Sequence, residues 1–139
     1  MQAKLLTTTK PTIIPARPER LILLLLKTHS PFLVAFLQRG GYAISEAHSP
    51  DHLVALCLSN PAQAVILDVC ELGAVEGWSV AQSIKMVNPS LPVILLCHGA
   101  VPVEVELPTA VDVLASDSDL QGLLTALHRF TQARTAAHN

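Results

Sequence analysis

The chain has 139 residues, 50% of them hydrophobic and only 14% charged, with a formal net charge of −2. That length suits one domain with a real core and falls short of two ordinary ones. A charged fraction below the ~25% of average globular chains excludes a disordered polymer. No basic run is present and aromatics are 4%, so neither the charge footprint nor the stacking platforms of a nucleic-acid binder are expected. The longest apolar run, Leu21 to Leu26, is closed by Arg20 and Lys27. A spanning helix needs ~20 apolar residues, so this run is expected to be a buried strand, with no membrane association. Cys57, Cys70 and Cys97 have no metal-type pair spacing. They are expected to be reduced thiols of a cytoplasmic protein.

Residues 1–19 hold three prolines and a threonine triplet with no regular period, and are expected to form a flexible tail. A strand over RLILLL follows. Ser30-Pro31 then supplies a helix N-cap with proline at the first helical position. The helix places Leu33, Val34, Phe36 and Leu37 inward and stops at Gly40-Gly41. A short strand over Tyr42 to Ala47 leads to Ser49-Pro50, which repeats the cap ahead of a helix with Leu53, Val54, Leu56 and Cys57 inward. Strand AVILD (64–68) ends on a carboxylate. A loop with Gly73 and Gly77 is expected before a helix carrying Val80, Ala81, Ile84 and Val87. Asn88-Pro89 ends that helix; strands PVILLC (92–97) and VDVLA (111–115) follow, and a helix over 118–134 closes the domain. The chain thus divides into a tail over 1–19, a domain over 20–134 and a short C-terminal tail over 135–139.

Unbroken apolar strands alternating with amphipathic helices predict a parallel sheet covered on both faces. Five such units suit an α/β, flavodoxin-like doubly wound sheet of order 2-1-3-4-5. Sheets of this kind bind at the carboxyl ends of their strands, where the order reverses.

From Arg20 to about Phe130, with GYAISEA (41–47), AVILDV (64–69), EGWSVAQSIK (76–85) and NPSLPVILLC (88–97) as the most specific stretches, the chain resembles a CheY-like receiver domain of two-component response regulators. The resemblance implies that Asp68 stands at the family's phosphoacceptor position. It also implies that the acidic pair for Mg²⁺ is replaced by Leu25 and Leu26 and the phosphoryl-binding Ser/Thr by Cys97. The invariant lysine falls on Ser116 and the switch aromatic on Val113. Phosphoryl transfer is mostly positioning and neutralisation of oxygen charge, and leucines cannot ligate a cation. The expectation is therefore a stand-alone degenerate receiver with no enzymatic activity and no cofactor. It acts in phosphorelay signalling through contact with a histidine kinase, another response regulator or a second copy of itself.

Two alternatives belong to other classes. In one, the chain is an active single-domain regulator in which Asp68 accepts phosphate with Mg²⁺, helped by Glu71 or Glu76. In the other, His29, Asp68, Cys70, Cys97 and His98, near neighbouring strand ends, serve a small metal or redox protein using Zn²⁺ or Cu⁺. Cys97 and His98 themselves are expected on opposite faces. Between strands 4 and 5, Pro102 and Pro108 bracket Val-Glu-Val-Glu-Leu, which alternates with period 2. The helix that receivers carry there is expected to be shortened or missing. Val103, Val105 and Leu107 would then cover the core or form a partner surface.

Overall fold

The computed structural model describes residues 20–26, 30–68, 74–98 and 109–138, the side chains of 74–76 and 131–138 excepted. The expectations for 1–19, for His29, Cys70 and Glu71, for the Glu76 side chain and for Val103, Val105 and Leu107 lie outside the described residues, as does the expectation of a shortened or missing helix between the last two strands.

The described residues form nine elements, in chain order β1 (Leu21–Leu25), α1 (Pro31–Arg39), β2 (Ala43–Ala47), α2 (Pro50–Ser59), β3 (Ala64–Asp68), α3 (Ala74–Val87), β4 (Val93–Cys97), β5 (Val113–Ser116) and α4 (Leu120–His138). The strands form one parallel sheet of order β2-β1-β3-β4-β5. This is the expected 2-1-3-4-5 order.

The period of two along each strand divides the core into two layers. On one face Leu23, Leu25, Val65, Leu67, Val93 and Leu95 pack against Leu53 and Cys57 of α2 and Val80, Ala81 and Ile84 of α3. On the other, Ile22, Leu24, Ile66, Ile94 and Leu96 pack against Leu33 and Leu37 of α1 and Leu123 and Leu127 of α4. Both faces are covered, which is why the strands read as continuous apolar runs.

Local signals set the helix starts. Ser30 Oγ accepts the Leu33 N–H and Ser49 Oγ accepts the His52 N–H, each with proline at the start of the helix. After α1 the chain reverses through Gly41 at φ 100°. L side chains avoid that region, so Gly41→Ala is expected to cost about 1–2 kcal/mol in urea unfolding through backbone strain.

Three expectations are corrected. Helix α3 begins at Ala74, so Gly77 is buried inside its first turns instead of preceding it; glycine lowers helix propensity by only ~1 kcal/mol, which packing outweighs. Val87 at its end is 38% exposed. Strand β5 starts at Val113 instead of Val111, because the Asp112 carboxylate leaves its own strand's pattern: its Oδ2 accepts the Val93 N–H at 2.7 Å and meets Lys85 Nζ at 2.8 Å. Helix α4 runs on to His138 instead of ending at 134. Among the described residues, no helix is long and apolar enough to cross a membrane.

Candidate functional site

Parallel strands end together, so one edge of the sheet gathers the last residues of β1, β3 and β4 and the turn after β5. Register places Leu25 opposite Leu67, Asp68 opposite Leu96, and Cys97 opposite Ser116. A cavity of about 780 Å³ opens at this edge between the sheet, the N-terminus of α1 and the start of α4. Its wall is apolar at Leu26, Phe32, Leu33, Phe36, Leu96 and Leu120 and polar at Asp68, His98, Asp117 and Ser118. A mostly apolar hollow with a few converging polar groups is the general form of a ligand or docking site.

Asp68 is 5% exposed. Its Oδ2 lies 3.4 Å from His98 Nε2, and the other ring nitrogen, Nδ1, is hydrogen-bonded to Asp117 Oδ2. Burial lowers the proton affinity of the imidazole, but the Asp117 hydrogen bond and the charges of Asp68 and Asp117 outweigh it, so the His98 pKa is raised above its usual 6.5. The two carboxylates therefore favour the protonated form of the ring at this edge.

The residues singled out in the sequence are only partly assembled here. Leu25 and Leu26 part company: Leu26 lines the cavity with Asp68, whereas Leu25 is 2% exposed in the opposite layer with Leu53. Ser116 is buried, with its hydroxyl 2.7 Å from that of Ser118 and accepting the Ser118 N–H at 3.1 Å. Val113 stands at the far end of β5, opposite Ile94, and lines a separate cavity with Gly122 and Arg129.

Cys97 is buried while His98 is half-exposed, with its two ring nitrogens at Asp68 and Asp117. Cys57 lies in the core between α2 and the sheet, where burial pushes its thiol up to about 11 and leaves it a poor nucleophile. Among the described residues, no group of three or more His, Cys, Asp or Glu side chains is arranged to hold a metal ion. The two carboxylates meet opposite nitrogens of the His98 ring, so the three groups do not converge on one point. Asp117, which the sequence reading does not single out, joins Asp68 and His98 at this edge. Asp68, His98 and Asp117 end or follow three adjacent strands of the expected order, and that adjacency was the available signal.

The fold is that of solved receiver domains. The chain matches the crystal structure of a response regulator receiver domain protein from Clostridium thermocellum at TM-score 0.66 and 16% identity, over 84% of this chain and 98% of that one. It matches the N-terminal domain of a response regulator/sensory box/GGDEF 3-domain protein from Carboxydothermus hydrogenoformans at 0.65 and 19%, over 86% and 99%. A third match, at 0.62 and 18% over 86% of this chain and 72% of the other, is a response regulator from Burkholderia pseudomallei with a phosphorylated aspartic acid, calcium ion and citrate. At identities this low, what is shared is the architecture. No family model and no curated protein matches the sequence.

Proposed function

We propose that this chain is a degenerate receiver of two-component signal transduction, a cytoplasmic binding module that meets a histidine kinase, another response regulator or a second copy of itself. Its signal passes by protein contact and not through Mg²⁺-dependent phosphorylation of Asp68. One observation carries this reading: among the described residues, the strand-end carboxylate of a receiver fold shares its cavity wall with Leu26 and Leu96, and His98 Nε2 meets it at 3.4 Å.

The chemistry supports it. Phosphoryl transfer asks the protein to hold a cation against the phosphoryl oxygens and neutralise the charge that develops there. Mg²⁺ is held by one or two carboxylates with waters and phosphate oxygens. The described residues at this edge do not fit that ion. Leu26 has no ligand atom, Leu25 is turned into the opposite core, and Asp68 Oδ2 already faces an imidazole. A phosphoaspartate would add charge beside apolar side chains, with a serine at the position of the family's lysine.

Beryllofluoride with Mg²⁺ tests the reading, because it mimics a phosphoryl group on a strand-end aspartate. The amide spectrum is expected to stay unchanged. A saturable shift centred on Asp68 and abolished in Asp68→Asn would instead make the chain a phosphorylated single-domain regulator.

A further inference from the structure

Three titratable side chains stand in a row along the carboxyl edge of the sheet, and the middle one is an imidazole with a carboxylate on each nitrogen. Asp117 Oδ2 is bonded to Nδ1 of His98, and Asp68 Oδ2 lies 3.4 Å from Nε2. A neutral imidazole has one N–H and one lone pair. In that form one nitrogen would turn its lone pair toward a carboxylate oxygen. Only the imidazolium offers a proton in both directions.

We infer that Asp68, His98 and Asp117 form a proton-operated clamp, closed while the imidazole holds both protons and released when one leaves. It ties the end of β3, the residue after β4 and the turn after β5 across the mouth of the cavity. Among the described residues, Asp68 and Asp117 are the charged groups that share the cavity wall with the ring; β1, α1 and α4 contribute only apolar side chains and the Ser30 hydroxyl.

The turn that carries Asp117 is compact. The Asp117 N–H donates to Cys97 O at 2.9 Å, and the Asp119 N–H donates to Ser116 O at 3.1 Å, just ahead of α4. Release therefore leaves the backbone in place and changes the side-chain surface. The Asp117 side chain, 36% exposed, can turn to water, whereas that of Asp68, 7% exposed, cannot. The buried carboxylate then faces a neutral ring at the rim where Phe32 is 63% exposed.

Because the folded pKa is raised, the clamp's stabilisation is complete below the unfolded value of 6.5 and fades as pH rises through the folded value. The clamp stands whether or not Asp68 is ever phosphorylated, and its test uses no phosphoryl analogue.

The imidazole ¹⁵N resonances of the full chain would be followed from acid to alkaline pH, with His98→Gln identifying the His98 signals. The expected midpoint lies above 6.5, and Asp117→Asn lowers it by roughly half a pH unit or more through loss of the hydrogen-bonded charge. The Asp68 and Asp117 amides are expected to move with the same midpoint and to lose that transition in His98→Gln. A midpoint at or below 6.5, or one unmoved by Asp117→Asn, overturns the clamp. So does an amide transition at Asp68 and Asp117 that persists unchanged in His98→Gln.

Discussion

Ile66→Ala is expected to lower the free energy of unfolding by about 3 kcal/mol, within the 2–5 kcal/mol typical of truncating a buried Ile, Leu or Met to alanine. Ile66 is 0% exposed at the centre of β3. It is paired on one side with Leu24 and on the other with Ile94. Its side chain faces the layer closed by Leu37 of α1 and by Leu123 and Leu127 of α4. Rigid strands on both sides prevent the site from collapsing around the lost carbons, so the cavity persists and adds to the transfer cost. A domain of this size is stable by only 5–15 kcal/mol, so the loss should show as a clear fall in the urea midpoint at unchanged slope. A cost under about 1 kcal/mol would mean that this layer is not the close-packed core described.

Leu26→Asp is expected to be at least as costly, at about 4 kcal/mol at neutral pH without Mg²⁺. It removes an apolar side chain that is 7% exposed and sets a second carboxylate beside Asp68. It also places two acids side by side, a set that can hold a hard cation. Millimolar Mg²⁺ is therefore expected to restore part of the variant's stability, because an ion bound only by the folded state stabilises it by mass action. The wild type, at matched ionic strength, is expected to be indifferent to Mg²⁺. Urea midpoints with and without the ion read both effects. A neutral substitution would show that Leu26 is not packed as described, and equal stabilisation of both proteins by Mg²⁺ would show that the native edge already holds the ion. Leu25→Asp provides the contrast, since Leu25 lies in the opposite layer; its cost should not respond to Mg²⁺.

The elements were legible wherever the signal is local. Ser30-Pro31 and Ser49-Pro50 mark helix starts because a capping hydroxyl serves an N–H only three residues away. The unbroken apolar runs of β1, β3 and β4 mark strands buried on both faces, and with them a parallel sheet between helices. The start of α3 was hidden because Gly77 reads as a loop residue until packing against the sheet outweighs its propensity. The start of β5 was hidden because Asp112 is engaged by Val93 and Lys85, residues far away in the chain.

The sequence by itself determined the class, the strand order and the address of Asp68, because alternation, capping and strand length act over a few neighbouring residues. Its resemblance to receivers sets Leu25 and Leu26 at the place of their acidic pair and Ser116 at that of their lysine, an expectation read from residue identities. Only the tertiary structure decided which of the two adjacent leucines borders Asp68, because a strand sends neighbours to opposite faces and the packing of α1 and α2 selects the face. It also decided that His98 lies between two carboxylates carried on different strand ends. Those pairings depend on sheet register and on the turn into α4, and no short-range pattern encodes them.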